Sequence, residues 1–317
     1  MALAFTVLAA PSAGYAQTRH LTFSGGPEGG TFQFLSNGIS ALLSRKFEGT
    51  EITDMASAGS VENLRRVHAK EADFGIVYSG DLYLGVRGSL AGDANAYTNV
   101  QVISYLYGAP AHLIVHEDSG ITEVAQLAGK RVAVGPSGSG AATSAQRFFE
   151  SLGMWDRIQP QFVGYLQGAS ALAENQVDAL WAFAGLPNAS VIRAASHKPI
   201  RLLQVFEPAQ RGALLKEHPY YTRVTIPAGT YPGVDYDVHS IQDSALWVAG
   251  RHVPEDLAYR SLATVYSGEG LEFMHAMARA AREMAIRTGL TGVVTPVHQG
   301  ARKFWTEQGF AVSDAQR

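Results

Sequence analysis

The 317-residue chain has no cysteine, which excludes disulfides, thiolate metal sites and cysteine nucleophiles together. It is also short of charge. Asp, Glu, Lys and Arg make up 17% of it, and 25 basic against 28 acidic residues leave a net charge of -3 with no long basic run. A phosphate backbone needs such a run or patch, so nucleic acid is excluded as a partner. No apolar run beyond the N-terminal segment approaches the ~20 residues that cross a bilayer. What is present is 46% hydrophobic, as in an ordinary globular protein and far from the composition of a disordered one. The length suits two domains of about 100–200 residues, or one large one. Glycine is in excess at 33 residues, clustered in short loops where backbone turns sharply or approaches a ligand.

The first 18 residues carry no charged side chain; Leu3 to Ala10 is apolar, Pro11 breaks the run, and Gly14-Tyr15-Ala16 places small residues before a cut. This pattern predicts a secretory signal over 1–16, a mature start at Gln17 and a soluble periplasmic protein. The extreme N-terminus lacks the usual basic residue, and a buried first strand or helix is the other reading.

Beyond it, short β-rich apolar runs alternate with amphipathic ones, the rhythm of an α/β fold with largely parallel sheets. Strands are expected at Leu21–Ser24, Glu51–Ala56, Phe74–Tyr78, Arg131–Gly135, Gln161–Tyr165, Ala179–Phe183 and Ile200–Val205. Helices are expected at Phe32–Lys46, Val61–Lys70, Ala141–Leu152 and Ser170–Asn175. One sequence of parts occurs twice. A strand ends in Gly25-Gly26, a glycine loop runs to Gly30, a helix follows, and Glu71-Ala72-Asp73 opens the strand at Phe74. Again, a strand ends in Gly135, a loop runs to Gly140, a helix follows, and Gln176-Val177-Asp178 opens the strand at Ala179. Two similar lobes follow, with Asp73 and Asp178 as turn-organising residues. Strands at Ala109–Asp118 and Ser240–Val248 would join them as a hinge, giving lobe I as 17–115 plus 240–317 and lobe II as 116–239. Helices at Glu255–Ser267 and Leu271–Thr288 would cover lobe I, with Met274, Met277 and Met284 filling its core.

The glycine loops lack the lysine of a P-loop, and Gly138-Ser139-Gly140 has Thr143 where a dinucleotide fingerprint needs its third glycine. Ser137 fails as a nucleophile elbow because Ser139 stands where glycine belongs. What remains is a strand, a glycine-rich turn and a helix, a construction that aims free backbone N–H groups at an anion. It recurs at Ser57-Ala58-Gly59-Ser60, at Tyr78-Ser79-Gly80-Asp81 and at Ala184-Gly185-Leu186-Pro187-Asn188. Singly each loop is more often a helix cap; together, at strand C-terminal ends, they predict an anion cleft. His112 and His116 lie on one face of a strand, but without a third ligand they read as structural, and neither a metal nor a cofactor is expected.

These loops resemble a known family. Gly29-Gly30-Thr31-Phe32, Ser57 to Leu64, Glu71-Ala72-Asp73-Phe74, Gly129 to Gly135, Gly138-Ser139-Gly140, Gln176-Val177-Asp178-Ala179 and Ile226 to Tyr231 are similar to the TAXI substrate-binding proteins of tripartite ATP-independent periplasmic (TRAP) transporters. The resemblance covers most of residues 21–290. It implies a two-lobed Venus-flytrap binding fold, and a monomer that closes on a small carboxylate such as glutamate, 2-oxoglutarate or a related C4/C5 dicarboxylate. It also implies delivery to a TRAP integral membrane subunit. Ligand contacts carry over to Gly30, Thr31, Phe32, Ser57, Ser60, Asn63, Tyr78, Ser79, Ser137, Gly138, Ser139, Gly140, Phe183 and Gly185. Tyr78 stands where many members have Gln, and Ala141 where many have Thr. The alternative is a periplasmic enzyme acting on a carboxylate or phosphate ester in the same cleft, with Asp81 or Glu28 as acid or base.

Overall fold

The computed structural model describes residues 18–313 and Gln316. The expected signal at 1–16 lies outside the described residues. The first stretch runs β1 (Arg19–Ser24), α1 (Thr31–Lys46), β2 (Thr50–Met55), α2 (Ser60–His68), β3 (Phe74–Tyr78) and α3 (Ser79–Gly85). The long strand β4 (Val100–His116) leads to β5 (Arg131–Ala133), α4 (Gly140–Ser151), β6 (Gln159–Gln161), α5 (Tyr165–Ala173), β7 (Ala179–Phe183) and α6 (Ala189–His197). Next come β8 (Ile200–Leu202), α7 (Phe206–Arg211), α8 (Leu214–Glu217), β9 (Thr222–Ile226) and the long β10 (Val238–Gly250). The last helices are α9 (Glu255–Val265), α10 (Gly268–Met277) and α11 (Gln299–Glu307).

The strands form one sheet in the order β2-β1-β3-β10-β4-β7-β5-β6, with β8 added to β4 and β9 to β10. On one side β1 pairs in parallel with β2 and β3, and β3 meets β10 antiparallel. On the other, β5 pairs in parallel with β6 and β7, and β7 meets β4 antiparallel. The class is α/β, and the two halves, lobe I and lobe II, repeat one pattern. Even their aspartates match. Asp73 accepts from the Thr22 N–H of β1 at 2.8 Å, and Asp178 from the Arg131 N–H of β5 at 2.8 Å.

The long strands join the halves. β4 pairs with β10 as far as Pro110, then from Ala111 with β7 and β8. Pro110 has no N–H to donate, which suits the point where the partner changes. Every residue of β4 is buried, so its sequence reads as a nearly unbroken apolar run. Each lobe has a tryptophan at its centre: Trp247 packs on Phe23 and Phe74, and Trp181 on Phe148 and Phe149.

Two expectations are corrected. The strand expected at Gln161–Tyr165 lies earlier, at Gln159–Gln161, and shares only Gln161 with that expectation; α5 starts at Tyr165 instead of Ser170. A side chain at Gly168 would meet Leu180 at 2.8 Å; its absence lets α5 lie directly on the sheet, and that packing overrides weak local propensity. The helix expected at Leu271–Thr288 ends at Met277, and the chain continues only as 3-10 turns. There the Glu283 carboxylate is drawn to β4, accepting from the Tyr105 hydroxyl and the Gly108 N–H. Met274 and Met284 are fully buried, but Met277 is 38% exposed.

Candidate functional site

Five strand-to-helix loops converge between the lobes. They line one cavity with Pro27, Gly30, Thr31 and Phe32; with Ala58, Gly59 and Ser60; with Tyr78; with Ser139, Gly140 and Ala141; and with Phe183 and Ala184. Tyr107 of β4 and Tyr165 of α5 complete the wall.

Three helices begin there. α1 follows Gly30 and α2 follows Gly59, and neither cap residue has a side chain to hold the first-turn N–H groups. Gly59 adopts φ 123°, a backbone region that side chains disfavour. α4 follows Ser139, whose hydroxyl accepts from the Ala142 N–H at 3.0 Å. In lobe I the Ser60 hydroxyl accepts from the Tyr78 N–H at 2.9 Å. Each serine thereby keeps its proton to donate. The partial positive ends of all three helices face the same space.

The remaining wall is aromatic. The Tyr78 ring lies 4.8 Å from that of Phe32 and 5.0 Å from that of Phe183. The Tyr78 hydroxyl donates to the Phe183 carbonyl at 2.5 Å, and the Tyr165 hydroxyl to the same oxygen at 2.8 Å. Burial pushes the Tyr78, Tyr107 and Tyr165 hydroxyls above their ordinary ionisation range, so all three are neutral donors. The Tyr107 hydroxyl, fully buried, has no hydrogen-bond partner.

The lobes meet in a closed arrangement. The Glu62 N–H donates to the Gly138 carbonyl at 3.1 Å, the Gly185 N–H to the Thr31 hydroxyl at 3.1 Å, and the Asn188 amide to the Gly29 carbonyl at 3.4 Å. Asp81 of α3 is bonded across the junction to Arg147 at 2.9 Å and to the Thr143 hydroxyl at 3.2 Å. Beside this pair, burial raises Asp243 to about 8, opposed by the Gly80 N–H that its carboxylate accepts at 3.0 Å. In this arrangement the cavity between the loops is only about 10 Å³.

Of the fourteen expected contacts, Gly30, Thr31, Phe32, Ser60, Tyr78, Ser139, Gly140 and Phe183 are brought together around this cavity. The others are placed differently. Asn63 is buried and spent: its amide donates to the Gly25 and Ile76 carbonyls and its oxygen accepts from Ser24. The Ser57 hydroxyl donates to the Gly25 carbonyl and accepts from the Gly59 N–H, which shapes the loop from behind. Ser79 donates to the Gly292 carbonyl, Ser137 is exposed, and Gly138 and Gly185 serve the cross-lobe bonds. Asp81, the candidate acid or base, is held in its ion pair and does not line the cavity; Glu28 is exposed. His112 contacts the Pro110 carbonyl and the Tyr231 hydroxyl, and burial lowers it to about 4. His116 contacts the Leu172 carbonyl. Tyr107, Tyr165 and the Ala58–Gly59 step are wall residues absent from the expected set.

This is a two-lobed periplasmic-binding-protein fold. It is similar to MatC from Rhodopseudomonas palustris with bound malate, at 17% identity over 92% of this chain and 97% of that one, with a TM-score of 0.53. It is likewise similar to the periplasmic binding protein BugD, at 14% identity over 92% and 95%, with a TM-score of 0.53. The alkanesulfonate-binding protein SsuA from Xanthomonas axonopodis pv. citri, bound to MOPS, matches at 15% identity over 92% of each chain, with a TM-score of 0.51. The chain belongs to the NMT1-like family, whose model matches residues 23–309. Among the described residues no helix is long and apolar enough to cross a membrane.

Proposed function

We propose that the protein is an exported solute receptor of the TAXI type. It would bind a small carboxylate between its lobes, of the glutamate, 2-oxoglutarate or C4/C5 dicarboxylate class, and deliver it to the membrane subunit of a TRAP transporter. The observation that carries this reading is the convergence of three helix N-termini, two from lobe I and one from lobe II, on one cavity between them. Such ends bind anions by oriented N–H groups and helix dipoles, with no basic residue required. No Asp, Glu, His, Lys or Arg is among the described residues that line the cavity, which favours binding over acid–base turnover.

The lobes, 17–115 plus 240–317 and 116–239, would part about β4 and β10 to admit ligand. A C4 or C5 acid is larger than the space in the closed arrangement, so it would replace some direct cross-lobe bonds with bonds through its own oxygens. A thermal-shift panel of small carboxylates tests the reading. A true ligand at 100 times its Kd adds about 2.7 kcal/mol of stability, and mass spectrometry should recover it unchanged after hours with the protein. No stabilisation by any carboxylate, or conversion of the ligand, would reject it.

A further inference from the structure

We infer that this site selects a carboxylate carrying an oxo group over one carrying an ammonium, and that Tyr107 reads the oxo oxygen. The inference rests on the carboxylate reading above and sharpens it.

Tyr107 is fully buried in the cavity wall, directly after a bulge at Leu106 where β4 slips against β10. Bulges beside sites re-aim side chains. Its hydroxyl lies close enough to those of Thr31 and Tyr78 to feel both, but it makes no hydrogen bond of good geometry with either. Both neighbours are engaged elsewhere, Thr31 by the Gly185 N–H and Tyr78 by the Phe183 carbonyl. An unpaired buried hydroxyl is costly to leave so, and an acceptor atom on a ligand would satisfy it.

The rest of the wall offers donors. The hydroxyls of Ser60 and Ser139 accept from backbone N–H groups and keep their protons, and the Phe183 carbonyl already accepts from two tyrosines. No carboxylate is among the described residues lining the cavity. Two carboxylates flank it: Glu62, which accepts from the Ala58 N–H at 2.7 Å and pairs with Arg66, and Asp81, which is engaged by Arg147 and Thr143 and whose free oxygen lies against Gly140. An ammonium would lose its hydration without a charged partner while facing three positive helix ends, whereas an oxo oxygen loses little and gains the Tyr107 hydroxyl.

Calorimetry with a matched set of five-carbon acids, 2-oxoglutarate, L-glutamate and glutarate, tests this on the purified chain and on Tyr107→Phe and Asp81→Asn. Expected results are a Kd for 2-oxoglutarate at least ~100-fold below that for L-glutamate, and a loss of about tenfold or more for 2-oxoglutarate in Tyr107→Phe. Glutarate, which has no oxo oxygen, should change by less than about threefold in that variant. The variant's melting temperature should not fall, because the hydroxyl it removes is unpaired. L-Glutamate binding as tightly as 2-oxoglutarate would overturn the inference and leave the carboxylate reading standing, and its loss in Asp81→Asn would name the group that holds the ammonium. An unchanged 2-oxoglutarate affinity in Tyr107→Phe would also overturn it. Binding of none of the three acids would overturn the inference, and the thermal-shift panel of other carboxylates would then decide whether the carboxylate reading falls with it.

Discussion

Lobe I and lobe II use the same strand order and the same aspartate at the same turn, but they begin their cleft helices differently. In lobe I, α1 and α2 start from Gly30 and Gly59, which leave the first-turn N–H groups unclaimed by any side chain. In lobe II, Ser139 caps α4, and Asn188 caps α6 by accepting from the Ser190 and Val191 N–H groups. A Ser or Asn cap is worth roughly a few tenths of a kcal/mol over Gly, so lobe I forgoes only a little local stability where its backbone faces the cavity. Lobe II keeps its side-chain caps, and its Ser139, like Ser60 of lobe I, retains a hydroxyl proton. The two similar scaffolds thus face the cavity with differently capped helices, and the Asp81–Arg147 pair joins them beside it.

The largest test of that division is the cross-lobe pair. Arg147→Met leaves Asp81 buried and unpaired next to Asp243, and should lower stability in chemical denaturation by about 3–5 kcal/mol. Combining it with Asp81→Leu should recover most of the loss; if it does not, the pair is not what joins the lobes. Next is Gly140→Ala, whose new methyl would meet the Tyr78 ring at 2.3 Å and the Asp81 carboxylate at 2.8 Å. Overpacking of this kind costs about 1–3 kcal/mol, so ligand affinity should fall roughly tenfold to a hundredfold. Solution scattering should show a larger radius of gyration, whereas unchanged binding would mean the lobes need not approach so closely.

A pH series separates the junction from the rest of the fold. Asp243 is raised to about 8 from an ordinary carboxylate value, so the native state holds a proton that the unfolded state has released, and stability falls as pH rises between about 4 and 8. His112 has the opposite sign: lowered to about 4, it makes stability fall as pH drops below 6.5. From pH 6.5 to 8 the Asp243 effect stands alone of the two, and the unfolding free energy should decline by up to about 2 kcal/mol. A flat profile there would show that Asp243 is ionised in the fold. The smallest effects belong to the two serines. Ser139→Ala should lower both helix stability, by about 1 kcal/mol, and ligand affinity, by about tenfold. The Ser60 side chain caps no helix, but Ser60→Ala strands the buried Tyr78 N–H that the hydroxyl accepts, so it should weaken binding and cost about 1 kcal/mol or more of stability. A clearly smaller stability loss than in Ser139→Ala would show that the Tyr78 N–H finds another acceptor.

Much of this was legible because local chemistry repeats. Gly25-Gly26 and Gly135, the strands at Phe74 and Ala179, and the turn aspartates Asp73 and Asp178 are governed by neighbours close in the chain or by patterns that a strand and helix impose on their own residues. Tyr107 was harder to see. It precedes Gly108-Ala109-Pro110 inside an apolar strand, and nothing in that run shows which face it takes once a bulge intervenes. Tyr165 was hidden by the misplaced start of α5.

The sequence by itself determined the α/β alternation, the doubled plan and the five glycine-bearing loops, since backbone freedom, capping and periodicity act over a few residues. Only the tertiary structure decided which loop side chains face the cavity. Asn63 and Ser79 are drawn away by carbonyls at Gly25, Ile76 and Gly292, and Asp81 by Arg147, partners as far as 213 positions along the chain. A polar side chain goes where its hydrogen bonds can be completed, and those partners exist only after the sheet has brought distant segments together.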